Sequence, residues 1–572
     1  MSTIHQLITD HIDIWTAADN SKKSGRGRNS SNSASVYGVN KLRELILDLA
    51  MRGKLVPQDP NDEPASGLLK RIQSEKDRLI ADGKIKKDKS LPPINNVDTP
   101  FNLPKGWEWV RNGLLFSLRK GRLPKNLSEN KTGLPYLDID ALDRGIIQRY
   151  SDDDKCPQST DNDILVVCDG SRSGFVLNGK DGIIGSTLAL IDTPTYIQSF
   201  VKLIFKHGYE RLNSAMRGAA IPHLDTKNLL LEVIGLPPLA EQYRIVTKVN
   251  ELMLLCDQME AQHINATEAH AKLVTHLLDT LTQSKNSAEF NDSWQRIAKH
   301  FDTLFTTEAS VDALKQTLLQ LAVMGKLVPQ DLNDEPASEL FNRIQIDKAA
   351  LIADGKIKKV KPLQPISDRD IQCILPNGWI WINLGSLCEI KGGKRLPAST
   401  TFSVTETPYI YIQVTNMKDG TIIQENLKYI DEKIYNQIKQ YTISSKDLYI
   451  TIAGTIGAVG SVPEYFCGMN LTENAAKIVF KFLNKEWFKF ALKSSSVQKQ
   501  FADKTKQLAQ PKLALHRIAS AILALPPIAE QSRIVAKIEE LMVLCDQLKA
   551  HIAEANQLQQ QLADTVVKRY AA

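Results

Sequence analysis

The sequence is poor in cysteine and has no long apolar run. Its seven cysteines are dispersed through 572 residues and include no C-x-x-C pair, so neither a disulfide framework nor a zinc site is expected, and a reducing cytoplasm fits. No uninterrupted apolar stretch approaches the roughly 18 residues of a membrane span. The opening stretch "MSTIHQLITDHIDIW" lacks an apolar signal core. We therefore expect a cytoplasmic protein with no membrane partner.

Motifs of enzyme chemistry are also missing. The sequence has no G-x-x-x-x-G-K-[ST] for ATP, no H-E-x-x-H for a catalytic metal and no Cys/His set at metal-ligand spacing. We therefore expect no cofactor or metal in this chain. The net charge of +6 permits a nucleic-acid partner without requiring one. A chain of this length without a catalytic constellation is more typical of a recognition or assembly subunit.

The most informative feature that is present is an internal repeat. The phrase "GKLVPQDPNDEPAS" at Gly53 returns as "GKLVPQDLNDEPAS" at Gly325, 272 positions later. The phrase "LPPLAEQYRIVTKVNELMLLCDQME" at Leu236 returns as "LPPIAEQSRIVAKIEELMVLCDQLK" at Leu525, 289 positions later. The chain is therefore two copies of one unit.

Nearly invariant frames surround two divergent blocks. Drift after a gene duplication would erode all parts similarly, so we infer that the frames meet the same partner twice while the blocks meet two different things. The pattern predicts these segments: an amino-terminal helix with a Ser/Gly-rich linker (1–40), a first frame (41–106), a first divergent block (107–235), a central helix (236–288), a second frame (289–378), a second divergent block (379–524) and a carboxyl-terminal helix (525–572).

A long helix is predicted after each block. Apolar residues step by four and three, which is typical of the a/d seam of a coiled coil. The predicted seams are Ile245, Val249, Leu252, Cys256, Met259, His263, Ala266, His270, Leu273 and Leu277 in the central helix, and Ile534, Ile538, Leu541, Cys545, Leu548, Ile552, Ala555, Gln559, Leu562 and Val566 in the carboxyl-terminal helix. Two such helices, each about 65 Å long, would pair antiparallel as a rigid spacer between the blocks.

Both blocks have the short apolar or alternating runs of β-strands. "LRKGRLPKN" at Leu118 superposes on "IKGGKRLPA" at Ile390, and "DILVVCDGSRSG" at Asp163 superposes on "DLYITIAGTIGA" at Asp447. We therefore predict an α+β protein with a pseudo-two-fold internal repeat, in which two long antiparallel helices separate two β-rich domains. The two domains would share a fold but not a surface.

Basic and amide side chains gather in the predicted loops of both blocks. These are the residue types that hold phosphates or read base edges in the major groove of DNA, and the glycines beside them let a backbone approach a ligand closely. The candidate DNA contacts are Arg119, Lys120, Arg122, Lys125, Arg172, Arg217 and His223 in the first block, and Lys391, Lys394, Arg395, Gln413, Asn416, Lys504, Gln507 and Gln510 in the second.

The paired motifs "LPPLAEQ" and "LPPIAEQ", with the helices after them, resemble the frame of specificity subunits of type I restriction–modification systems. The twin "GKLVPQD" phrases and the leading helix with its linker are similar to the type IB-like subunits. The resemblance covers nearly the whole chain.

The resemblance implies a non-catalytic, DNA-binding protein that takes part in defence against foreign DNA. Each block would be a target recognition domain that reads one half of a bipartite, asymmetric site in double-stranded DNA, and the helices would set the spacer. The frames would bind two methyltransferase (modification) subunits, joined by restriction subunits. The resemblance places S-adenosylmethionine, ATP and Mg in these partner subunits.

Two other hypotheses stay open at this point. A helical scaffold that joins two protein modules and never touches DNA would show no salt-dependent DNA affinity. A nuclease hidden in the first block would use Asp138, Asp140 and Asp163. The aligned positions of the second block hold Gln413 and Thr415 beside an aspartate, so the carboxylate set is not repeated.

Overall fold

The computed structural model describes residues 3–17, 36–82, 91–95, 98–214, 223–285, 287–357, 363–367, 371, 373–503 and 512–571. Residues 21–35 of the predicted Ser/Gly-rich linker, 21–38, lie outside the described residues, and its last two residues begin a helix. The chain forms two compact units, Met1–Thr267 with Ala555–Ala572, and Glu268–Glu554. Each unit therefore combines most of one sequence copy with the last part of a long helix that belongs to the other copy. Among the described residues, no helix combines the length and apolar character needed to cross a membrane.

The first copy alternates helical frame segments with a β-rich block. Its helices are α1 (Thr3–Asp10), α2 (Ile12–Ala17), α3 (Tyr37–Met51), α4 (Ala65–Ala81), α5 (Asn112–Leu115), α6 (Ile139–Asp143), α7 (Gln198–Ser214), α8 (Thr226–Leu231) and α9 (Leu239–Gln283). Its strands are β1 (Glu108–Arg111), β2 (Ser117–Lys120), β3 (Leu134–Leu137), β4 (Tyr150–Ser151), β5 (Gln158–Ser159), β6 (Ile164–Val167), β7 (Val176–Asn178), β8 (Gly182–Ile184), β9 (Leu188–Asp192) and β10 (Val233–Leu236).

The second copy follows the same plan. Its helices are α10 (Ser287–Lys299), α11 (Phe301–Leu304), α12 (Glu308–Val323), α13 (Ala337–Ala353), α14 (Leu384–Leu387), α15 (Glu432–Ile438), α16 (Lys485–Lys493), α17 (Ser495–Asp503), α18 (Leu515–Ala519) and α19 (Ile528–Ala571). Its strands are β11 (Ile380–Asn383), β12 (Cys388–Gly392), β13 (Ile410–Ile412), β14 (Met417–Lys418), β15 (Thr421–Ile422), β16 (Lys428–Tyr429), β17 (Leu448–Thr451), β18 (Val459–Ser461), β19 (Asn470–Leu471), β20 (Ala475–Phe480) and β21 (Ile522–Leu525).

The two β-rich blocks share a fold, as the sequence superposition predicts. The first contains an antiparallel sheet in the order β2-β9-β6-β7, and the second contains β12-β20-β17-β18. Each also has a smaller sheet around one parallel pair, β3 with β8 and β13 with β19. The apolar run of β6 is buried along its whole length. The predicted α+β class, with two β-rich domains inside a repeat, is confirmed.

An antiparallel strand pair closes the base of each β-rich block. In the first copy β1 pairs with β10, so that Glu108 lies opposite Leu236. In the second copy β11 pairs with β21, so that Ile380 lies opposite Leu525. The chain therefore enters and leaves each block at neighbouring positions.

A buried carboxylate ties the frame of the first copy to the start of α9. Trp107 Nε1 donates to Glu241 Oε2 at 3.0 Å, and Gln58 Nε2 donates to Glu241 Oε1 at 2.7 Å. Arg244, one turn further along α9, pairs with Asp62 at 2.5 Å. Burial raises the pKa of Glu241 above its ordinary value, although the Trp107 and Gln58 hydrogen bonds oppose the shift.

The second copy repeats this arrangement residue for residue. Trp379 Nε1 donates to Glu530 Oε2 at 2.9 Å, and Gln330 Nε2 donates to Glu530 Oε1 at 2.7 Å. Arg533 pairs with Asp334 at 2.5 Å. Two identical positions of the repeated phrase that begins "GKLVPQD", the glutamine and the second aspartate, are therefore explained by contacts within the chain and need no shared partner.

Only glycine fits the first position of the repeated phrase. Gly53 has a φ of +69°, and a Cβ atom there would lie 2.5 Å from Cγ of Pro104. Gly325 has a φ of +67°, and its Cβ would lie 2.4 Å from Cγ of Pro376. A side chain would meet both backbone strain and a steric clash.

The two long helices pair antiparallel within the units. In the first unit Leu252 and Cys256 of α9 share a buried cluster with Ala563 near the end of α19. In the second unit Val274 near the end of α9 shares a cluster with Cys545 of α19. In each unit an early stretch of one helix therefore packs with a late stretch of the other.

The predicted heptad seam is wrong in the later part of each helix. Leu273 and Leu562, which the seam includes, are 50% and 51% exposed, and the next residues, Val274 and Ala563, are buried instead. Ala266 and Ala555 are exposed as well. An α-helix has 3.6 residues per turn and drifts by about 20° per heptad against a strict 3.5-residue repeat. Four heptads move the buried stripe by nearly one residue.

Candidate nucleic-acid interface

The loops that carry most of the predicted contacts of the first block lie at one end of its larger sheet. Gly121 N, just after β2, donates to Leu188 O at 2.9 Å, and Cys168 N, just after β6, donates to Thr187 O at 2.8 Å. Leu224 N donates to Cys168 O at 2.8 Å. These backbone bonds bring together segments distant in sequence. We call the residues 120–125, 168–174, 185–188 and 223–224 the first loop edge.

The second block builds the same edge with the same backbone bonds. Gly393 N donates to Ala475 O at 2.9 Å, Ile452 N donates to Asn474 O at 2.8 Å, and Leu513 N donates to Ile452 O at 2.8 Å. The two edges therefore superpose position by position. We call the residues 392–395, 452–458, 472–475 and 512–513 the second loop edge.

Two predicted contacts of the first loop edge converge on one carboxylate. Lys120 Nζ lies 2.9 Å from Asp169 Oδ2, and His223 Nδ1 lies 2.6 Å from Asp169 Oδ1. Burial alone would raise the pKa of Asp169, but the hydrogen bonds from His223 and Lys120 outweigh it and hold the pKa below its ordinary value. Asp169 is therefore an anion at neutral pH.

Arg172 projects from the loop after β6. Its Nη1 donates to Asp143 Oδ2 at 2.7 Å, and its guanidinium lies 4.2 Å from the ring centroid of Phe175. This is cation–π geometry, which holds the guanidinium plane in a defined orientation. Arg172 is thus positioned before any ligand arrives.

The other predicted residues of the first block differ in their protein partners. Arg119 lies on β2 and donates twice to Asp192, at 2.6 and 3.1 Å. Arg122 donates to the carbonyl oxygen of Lys155. The backbone N–H of Lys125 donates to Asp153 Oδ2 at 3.4 Å. Arg119 and Arg122 therefore already have protein acceptors.

The predicted cations of the second block also have protein partners. Lys391 lies 2.7 Å from Glu389, and Lys394 lies 5.7 Å from the ring centroid of Tyr441. Arg395 Nε donates to Glu473 Oε1 at 2.8 Å while its side chain stays 80% exposed.

The structure removes Asn416 from the candidate contacts. Its side chain is 1% exposed, accepts from Gln413 N at 3.0 Å and donates to Glu425 O at 2.8 Å. An asparagine that closes a turn inside the domain cannot reach a base edge. Gln413 beside it is half-buried. The remaining predicted residues, Arg217, Lys504, Gln507 and Gln510, lie outside the described residues.

Sequence reasoning missed Lys512 and Glu473. The Leu224 and Leu513 backbone bonds make Lys512 the counterpart of His223, and Lys512 Nζ donates to Glu473 O at 3.3 Å. His223 and Lys512 are 289 positions apart, so the repeat offset could have identified the lysine.

The aspartates of the nuclease hypothesis serve separate structural purposes. Asp138 accepts from Ala141 N at 3.0 Å as the amino-terminal cap of α6. Asp140 pairs with Arg144, and Asp163 accepts from Thr160 N at 2.7 Å. Within the described ranges, no three His, Cys, Asp or Glu side chains come together as a metal site.

Comparison with known proteins gives one consistent result. A family model described as "Type I restriction modification DNA specificity domain" matches residues 104–269 and 376–558. The EcoAI specificity subunit of a type I restriction enzyme from Escherichia coli is 37% identical, over 99% of this chain and 99% of that relative. The EcoEI specificity subunit from Escherichia coli is 36% identical, over 98% of this chain and 99% of that relative.

Solved structures align over most of the chain at low identity. A chain from a type I R-M system is 17% identical, over 82% of this chain and 99% of that one, with a TM-score of 0.47. The HsdS subunit from Thermoanaerobacter tengcongensis is 17% identical, over 83% of this chain and 98% of that one, with a TM-score of 0.35.

Proposed function

The chain belongs to the family of specificity subunits of type I restriction–modification systems, and from this premise we propose how its two recognition domains divide one DNA site. It is a DNA specificity subunit with two target recognition domains, which are the two β-rich blocks. Specificity subunits are non-catalytic, which sets the nuclease hypothesis aside, and they bind DNA, which sets the scaffold hypothesis aside. Each domain reads one half of a bipartite, asymmetric site in double-stranded DNA, and the paired helices α9 and α19 set the spacer.

This proposal rests on a comparison of the two loop edges. They share the same backbone hydrogen bonds but present different side chains. Position 169 of the first edge is an aspartate, and its counterpart in the second is Ala453. His223 corresponds to Lys512 in the same way. Base edges are distinguished by their patterns of donors and acceptors. One backbone with two sets of donors and acceptors is suited to reading two unlike half-sites.

The duplicated frame supports a duplicated partner. Specificity subunits of type I systems assemble with methyltransferase and restriction subunits and bind DNA. Some identical residues of the repeated phrase are exposed in both copies, among them Pro57 with Pro329 and Ser66 with Ser338. We assign this surface to two methyltransferase subunits, one per copy. Their chemistry would use S-adenosylmethionine, and that of the restriction subunits ATP and Mg, in the cytoplasm.

A methylation map tests the function directly. The chain is co-expressed with its methyltransferase subunit in a host without adenine methylation, and modified adenines are mapped across the genome. The expected result is one split motif with a fixed gap and one modified adenine in each half, on opposite strands. A complex that forms but binds DNA without any sequence preference would contradict the proposal.

Exchange of one recognition domain tests the division of the site. Residues 107–235 begin and end at the β1–β10 pair, where the chain enters and leaves at neighbouring positions. Replacement of this block by that of a relative is expected to change one half of the motif, while the other half and the gap stay. A change in both halves would refute the modular assignment.

A further inference from the structure

Each loop edge contains one half-buried carboxylate that holds exposed cations. Asp169, whose side chain is 17% exposed, contacts Lys120 and His223 in the first edge. Glu473, whose side chain is 24% exposed, contacts Arg395 in the second. Glu473 Oε2 also accepts from the Tyr411 hydroxyl at 3.1 Å, so the carboxylate is fixed while the arginine projects outward.

The two carboxylates come from different places in the shared fold. The counterpart of Asp169 in the second edge is Ala453, and the counterpart of Glu473 in the first edge is Ser186. A carboxylate that the backbone needed for folding would occupy the same position in both domains. The acidic group instead stands at a different position in each domain, on a surface whose other charged side chains are basic.

Stability does not explain these ion pairs. The cation of each pair is more than half exposed, so water and salt screen the pair and its contribution to folding is small. A fixed anion at a surface that meets DNA also repels phosphates and withholds a cation from them. Its presence therefore has a cost in general DNA affinity that a functional gain must offset.

We propose that Asp169 and Glu473 are specificity-determining residues that release their cations only to the correct half-site; this rests on the proposed function. In the free protein, Asp169 holds Lys120 and His223, and Glu473 holds Arg395. A carboxylate can only accept hydrogen bonds. In the major groove the donors are the amino groups of cytosine and adenine, whereas the oxygens of guanine and thymine repel an anion. A matching amino group takes the place of the cation, which then turns to a phosphate.

Non-cognate DNA offers no such exchange. The carboxylate keeps its cation, and the phosphates lose that one contact. The mechanism therefore lowers non-specific affinity more than specific affinity. Because the two acidic groups lie at different positions, the amino group that each selects lies at a different place in its own half-site.

The test uses Glu473→Gln in the complete complex with methyltransferase subunits. Binding is measured on the motif that the wild-type complex methylates and on a duplex of random sequence, over a range of salt concentrations. We expect the variant to bind the random duplex about tenfold more tightly, because the freed cation adds one phosphate contact, which alters the slope of log affinity against log salt concentration by about one unit. Affinity for the motif should change little. The ratio of the two affinities then falls about tenfold.

Asp347→Asn is the matched control. Asp347 pairs with Lys481 at 3.0 Å, beyond the end of β20 opposite to Glu473, and this change removes the same single charge. Equal affinity ratios for Glu473→Gln and Asp347→Asn would overturn the inference. A wild-type complex with no preference for any motif would instead refute the proposed function. Asp169→Asn is expected to relax selection in the other half-site alone, and a loss in both halves would also count against the inference.

Discussion

Replacement of Trp107 by phenylalanine is expected to loosen the first copy and leave the second unchanged. The substitution keeps an aromatic ring but removes the Nε1–H that donates to Glu241 Oε2 at 3.0 Å. Trp107 is 5% exposed and Glu241 is 1% exposed. The carboxylate oxygen would therefore lose its donor in a place that water scarcely reaches.

The magnitude follows from two contributions. A hydrogen bond to a charged group contributes about 1.5–3 kcal/mol. The smaller ring leaves a cavity of roughly 40 Å³, which costs about 1 kcal/mol. The total of about 2.5–4 kcal/mol corresponds to a rise of about 60- to 700-fold in the opening equilibrium, at about 1.4 kcal/mol per factor of ten. Glu241→Gln in the same chain should reduce the loss, because no charge is then left without its donor.

Hydrogen–deuterium exchange with mass spectrometry measures the effect in the complete chain. Peptides that cover β1 and β10 report on the first copy, and peptides that cover β11 and β21 provide an internal control in the same molecule. Exchange should accelerate in β1 and β10 only, and Trp379→Phe should produce the mirror result. Unchanged exchange in the first copy, or equal acceleration in both, would refute the assignment of this hydrogen bond.

Two further predictions concern the pH dependence of stability and the packing of the frame. Burial raises the folded-state pKa of Glu241 and Glu530. Their stabilising contribution is therefore complete below the unfolded-state pKa of about 4.3 and is lost as pH rises through the folded-state value. Urea titrations at several pH values should show this fall in the wild type and a flatter profile in the double Glu→Gln variant, and identical profiles would contradict the prediction. The ring centroids of Phe101 and Trp109 lie 5.0 Å apart. Phe101→Cys, which copies the residue at position 373 of the second copy, should lower the free energy of unfolding by about 1–2 kcal/mol. An unchanged urea midpoint would show that this ring contact does not stabilise the fold.

The repeat made the fold class and the superposition of the two domains predictable. "LRKGR" and "IKGGK" align in the structure as they do in the sequence, because both follow from the pairing of β2 with β9 and of β12 with β20. The predicted seam fails after about three heptads, because a small error in period accumulates along a helix. Only a structure could show that the seam moved to Val274 and Ala563.

The candidate interface was less predictable because its charges are paired over long separations. Arg119 and Asp192 are 73 positions apart, and Arg395 and Glu473 are 78 positions apart. A basic residue in a loop reads the same in sequence whether it is free or held by a distant carboxylate. Asn416 shows a related limit, since an asparagine that caps a turn and one that faces solvent have the same local sequence signals.

The split composition of the first unit has a consequence for synthesis. Ala563 is buried in the same cluster as Leu252, and Asp564 accepts from the hydroxyl of Tyr37 at 2.8 Å. Residues 555–572 leave the ribosome after the 287 residues of Glu268–Glu554, which takes about 15–60 s at roughly 5–20 residues per second. The half of the molecule made first is therefore completed last. A stop codon in place of residue 555 removes part of the first unit while every residue of the second remains.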